Sequence, residues 1–94
     1  MGRLYIPVDV ISLSNTDGEI HPLRVRAEQD QRGTIVGSVE QVLSRWESGT
    51  FGAETHTFLC RIRSEEELTL LELKYFVRSH RWYAAPMKGA FQNH

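Results

Sequence analysis

A chain of 94 residues has room for one hydrophobic core and no second domain, since polypeptides of this size bury only about 60 to 65% of their unfolded surface. Its 40% hydrophobic and 24% charged residues exclude a chain too polar to collapse, and a formal charge of -1 excludes nucleic-acid binding through a bulk positive field alone. The lone Cys60 excludes an intrachain disulfide and a cysteine-based metal cluster, and makes a reducing, cytoplasmic compartment the expectation.

The opening Met1-Gly2-Arg3-Leu4-Tyr5-Ile6-Pro7 carries no secretory pattern and no apolar run long enough for a bilayer, so no membrane association is expected. The first clear local signal is Thr16-Asp17-Gly18-Glu19, because Asp-Gly supplies the positive φ angles of a two-residue type I′ hairpin turn. With that turn, facing residues have numbers that sum to 35. Val8 then opposes Ala27, Val10 opposes Val25 and Ser12 opposes Leu23 on an almost wholly apolar face. The other face pairs Asp9 with Arg26, Ile11 with Arg24 and Leu13 with Pro22, which brings one ion pair into register.

The run Thr34 to Leu43, within Gly33 to Trp46, is rich in β-branched residues and reads as a third strand. Its alternation breaks near Gln41-Val42, where a bulge or bend is expected. Glu47 to Glu54, with Ser48, Gly49 and Gly52, reads as a surface loop. From His56 to Ile62, His56, Phe58, Cys60 and Ile62 alternate with Thr57, Leu59 and Arg61, as on a strand with one buried face.

The segment after Ser64 admits two readings. Ser64-Glu65-Glu66-Glu67 can cap a helix over about 65–78, which would make the fold α+β. Alternatively Ser64 to Glu67 forms a tight loop, and the returning strand sets Leu71 opposite Cys60, Leu73 opposite Phe58 and Tyr75 opposite His56, with Glu72 diagonal to Arg61. The strand is the favoured reading. Arg78-Ser79-His80 is then a turn into a short last strand, Arg81 to Ala84, and residues 85–94 read as a disordered tail. The resulting expectation is an all-β fold, a small five-stranded barrel over residues 1–84, closed or half closed so that unpaired edges are removed.

Three blocks also carry a resemblance: Ile6-Pro7-Val8 with Asp17 to Val25, then Val39 to Leu43, then Cys60-Arg61-Ile62 with Arg81-Trp82-Tyr83. In these the chain resembles a family of short Firmicutes proteins, a likeness that implies an SH3-like small barrel and no activity. The segment between Ile62 and Tyr75 is longer than that likeness leads one to expect.

Enzyme signatures are absent from the sequence. His21, His56 and His80 stand at no metal-ligand spacing, no serine lies in a nucleophile elbow, and the glycines form no phosphate loop, so no cofactor, metal or catalytic residue is expected. Cys60 alternates with Phe58 and Ile62 and reads as an inert core thiol.

Two binding readings follow. Trp46, Tyr75, Phe76, Trp82 and Tyr83 are many aromatics for one small core, and those left outside would favour a protein partner or a homodimer, for instance through an edge strand. The alternative is a nucleic-acid accessory. Nine arginines against two lysines include two Arg-x-Arg pairs, Arg24/Arg26 and Arg61/Arg63, each on one strand face. Were those strands neighbours, they would form a patch suited to phosphates, with Arg81 and Trp82 as further contacts.

Overall fold

The computed structural model describes residues 5–29, 33–49, 53–65 and 67–86. Its strands are β1 (Ile6–Ser14), β2 (Ile20–Gln29), β3 (Gly33–Ser48), β4 (Thr55–Ser64), β5 (Glu67–Phe76) and β6 (Arg81–Pro86). Each pairs antiparallel with its neighbours in sequence, and β6 returns to β1 to close the barrel. The fold is therefore all-β, with six strands in place of the expected five. The six match the segments read individually as strands, down to the turn at 77–80 and the short last strand from Arg81; the expected total of five undercounted them.

The helix alternative over about 65–78 is corrected by the ladder. Ser64 pairs with Glu67 across a tight turn that holds Glu65 at φ 47°, and Leu71, Leu73 and Tyr75 face Cys60, Phe58 and His56 as the strand reading requires. Apolar residues at period two can all be buried along a strand, whereas a helix would scatter them around its axis. β6 continues two residues beyond the expected domain boundary at 84, and Ala85 is fully buried there. The rest of the expected tail, residues 87–94, lies outside the described residues.

The β1–β2 register holds in part. Asp9, Val10 and Ile11 face Arg26, Val25 and Arg24, their numbers summing to 35, but Ser12, Leu13 and Ser14 face Pro22, His21 and Ile20, one lower. The turn is the cause. Asn15 Oδ1 accepts the Asp17 and Glu19 amides at 2.9 Å each, Gly18 N–H donates to Asn15 O at 2.9 Å, and Asn15 N–H donates to Glu19 O at 3.0 Å. Within this turn only Gly18 has a positive φ, 83°, so the connection is a three-residue loop with a left-handed glycine and not the two-residue type I′ turn. That loop lowers the sum to 34, and a bulge at Leu23 restores it to 35.

The break expected near Gln41-Val42 in β3 is present as two irregularities, one on each side of that dipeptide, at Glu40 and at Leu43. β3 also runs through Glu47 and Ser48, which shortens the expected loop.

The interior is built from Val25, Phe58, Cys60, Ile62, Leu73, Trp82 and Ala84, with Val8, Val10, Ile20, Val39, Val42, Leu71 and Tyr75 packed against them. Trp82 lies 5.7 Å from the Phe58 ring and 4.9 Å from that of Tyr75. Side chains of this size contribute about 1.5–3 kcal/mol each when fully buried. Gly37 faces Val25 across the ladder, and a Cβ there would overlap Ile62 Cγ2, so the close approach of β3 and β4 requires a glycine.

Candidate functional site

Strand neighbourhood decides what the arginines can do together. β2 and β4 are not adjacent; both flank β3, and Ser38 pairs with Arg24 on one side and Arg63 on the other. The two arginines thus stand in one row with backbones roughly 10 Å apart, two strand spacings. Between them lies an open groove of about 800 Å³, lined also by Thr34, Val36, Ser64 and the carboxylate-bearing Glu65 and Glu67.

Most of the row is already engaged. Arg63 Nε donates to Glu40 Oε2 at 2.5 Å, Arg61 to Gln41 Oε1 at 3.0 Å, and Arg26 to Asp9 Oδ2 at 2.7 Å. The Asp9 hydrogen bond, and then its charge, hold the Arg26 guanidinium above its ordinary range. Among the described residues Arg24 has neither a hydrogen bond nor a carboxylate partner.

Arg81 belongs elsewhere. It pairs with Phe76, which faces Thr55, so it lies six to eight residues along the β4 direction from Arg61 and Arg63, roughly 20–27 Å. Trp82, expected beside it as a stacking contact, is 8% exposed and faces the barrel interior, as period-two alternation requires once Arg81 points outward. Its ring is occupied by Phe58 and Tyr75, and it leaves the set of surface contacts.

The other aromatics separate likewise. Tyr75 is an inner-wall residue, Phe76 and Tyr83 pack edge to face at 5.3 Å, and Trp46, at 48% exposure, stays on the surface.

The histidines lie apart. His21 Nδ1 is 3.2 Å from Arg45 and its Nε2 3.6 Å from Glu19, while His56 Nδ1 is 3.5 Å from Glu47 and the Tyr75 hydroxyl meets His80 Nδ1 at 2.9 Å. Among the described residues no three of His, Cys, Asp and Glu converge on a point that could hold a metal ion. Cys60 is fully buried, and burial pushes its thiol up to about 12, against a smaller downward pull from the Arg45 cation.

The surface feature that the arginine pattern obscured is apolar. Ile11 and Leu13 project from the outer face of β1 with 61% and 54% of their surface exposed. The bulge pushes Leu23 out of the interior to 44% exposure, where the uninterrupted register would have buried it. These three stand beside Arg24, which faces Ile11 across the ladder. The signal was present in the sequence: two aliphatic residues on the face that also carries Asp9, Arg24 and Arg26.

No protein family, curated protein or solved structure matches the chain. Neither a family nor an activity therefore comes to it by likeness. No helix among the described residues is long and apolar enough to cross a membrane.

Proposed function

We propose that the protein is a non-enzymatic binding module that docks another polypeptide on the outer face of its β1–β2 hairpin. The observation that carries this reading is the exposed aliphatic group Ile11, Leu13 and Leu23 beside the unengaged Arg24. Aliphatic side chains clustered on a strand face gain nothing there from the barrel core, and such clusters rimmed by polar groups mark interaction surfaces. The cytoplasmic setting is part of the proposal and draws support from the single cysteine, which sits reduced and sealed in the interior.

A nucleic-acid role draws less support. Of the four arginines proposed to form one patch, three already have side-chain partners, and two glutamates line the groove between Arg24 and Arg63.

Site-specific photo-cross-linking in cells separates the two readings. A photoreactive amino acid at Leu13 is expected to give a defined protein adduct, with none from the same group at Glu28, also exposed on β2. Equal adducts from both positions, or none from Leu13, would overturn the docking face. An oligonucleotide adduct at Leu13 would move the reading to the nucleic-acid alternative.

A further inference from the structure

β1 divides its pairing between two neighbours. Ile6, Pro7 and Val8 pair with β6, while Asp9 to Ser14 pair with β2. Beyond Val8 the strand parts from β6, leaving a crevice of about 410 Å³ between Val10 and the 80–82 segment. From Val10 to Ser14 its outer edge has no ladder partner among the described residues. The barrel thus keeps an unpaired edge here, contrary to the expectation that closure would remove such edges. Ile20 to Leu23 of β2 on the side facing β3, Val39 to Ser48 of β3 on the side facing β2, and Glu67 to Leu70 of β5 on the side facing β6 also lack ladder partners among the described residues, but each of those stretches carries a charge or a proline.

Natural edge strands guard themselves with proline, inward-pointing charge or extreme brevity. The guards on β1 lie upstream, at Pro7 and Asp9. Val10-Ile11-Ser12-Leu13-Ser14 is uncharged, contains no proline and presents Ile11 and Leu13 on its exposed face.

Resting on the docking reading above, we infer that the occupant of this edge is a second copy of the chain, joined by antiparallel pairing of the two β1 strands about a two-fold axis at Ser12. The free stretch is bounded by β6 at one end and by the Asn15 turn at the other. Of the antiparallel registers that keep outer face with outer face, the one centred on Ser12 uses all five residues of both copies. It sets Ile11 opposite the partner's Leu13 and Leu13 opposite the partner's Ile11, two aliphatic cross-strand pairs from one sequence. The arrangement is isologous, so it closes as a dimer and does not propagate. Leu23 lies on β2, on the far side of β1 from this edge, and takes no part in the pairing.

Sedimentation equilibrium over a wide concentration range tests the inference, with the Leu13→Lys variant alongside. The wild-type mass is expected to rise with concentration from 10.8 kDa towards twice that value, and the substitution to weaken association at least tenfold, because it sets a cation against the partner's Ile11. A Ser12→Cys variant treated with a short bis-maleimide should give a covalent dimer, and a Thr34→Cys variant, exposed on β3, should not. Cys60 is buried and silent in both.

A wild-type mass fixed at that of the monomer, association untouched by Leu13→Lys, or no cross-link at position 12 in a sample that dimerises would each overturn the inference. A monomer whose position 13 photo-cross-links a different protein would overturn the dimer and leave the docking face standing. A monomer with no adduct at all would overturn both.

Discussion

The wall formed by β3, β4 and β5 and the arm formed by the β1–β2 hairpin are made of the same kind of strand, yet they solve opposite problems. β4 is laddered on both sides from Thr55 to Arg63, and Phe58, Cys60, Ile62 and Leu73 are almost completely enclosed around it. In the arm, β1 beyond Val8 is laddered only to β2, and Ile11, Leu13 and Leu23 are exposed. The division is one of arrangement: the wall holds the fold and exposes Val36, Leu43, Trp46 and Leu68 spread over β3 and β5, whereas the arm carries Ile11, Leu13 and Leu23 on one hairpin. That division explains how a 94-residue chain, with little hydrophobic material to spare, carries three exposed aliphatic residues in one place.

Substitutions that respect this boundary and substitutions that cross it should behave differently. The largest effect is expected at Phe58, which packs on Trp82 and is 2% exposed: Phe58→Ala should cost about 3–5 kcal/mol, read as a lower midpoint in urea unfolding with an unchanged slope. A loss below about 1 kcal/mol would mean that the wall is not the seat of stability. Gly37→Ala comes next, at about 1–3 kcal/mol, because the added methyl must displace Ile62 or part β3 from β4. Thermal unfolding measures it, and an unchanged midpoint would show that the two strands do not approach closely in solution.

The same boundary separates what could be read in the sequence from what could not. The β4–β5 register was legible because Cys60, Phe58 and His56 have apolar or aromatic partners at one consistent offset, and a one-residue slip would turn every one of them outward. Asp9 opposite Arg26 was legible for the same reason, together with the Asp-Gly signal. The turn itself was misread because the Asn15 side chain captures two backbone amides and adds a residue to the loop, a competition that the dipeptide rule does not weigh. The compensating bulge then expelled Leu23 from the face where alternation had placed it.

The arrangement of the arginines was legible only in part. Strand faces were assigned correctly, but which strands are neighbours is a property of the whole barrel. β3 stands between the two Arg-x-Arg pairs, and its Glu40 and Gln41 engage one of them. Arg81 and Trp82 were likewise adjacent in sequence and opposite in direction, one to solvent and one to the core.

The smallest effect on stability carries the most weight. The central claim is that Ile11 and Leu13 are exposed for contact and contribute nothing to the barrel core. The equilibrium unfolding free energy of the Ile11→Ser/Leu13→Ser double variant, measured in urea at protein concentrations where the wild type is monomeric, tests it directly. The expected value lies within about 0.5 kcal/mol of the wild type, as for surface substitutions away from structural features. A loss of about 2 kcal/mol or more would show that these side chains hold the fold together, and that the arm is part of the barrel's support and not its docking face.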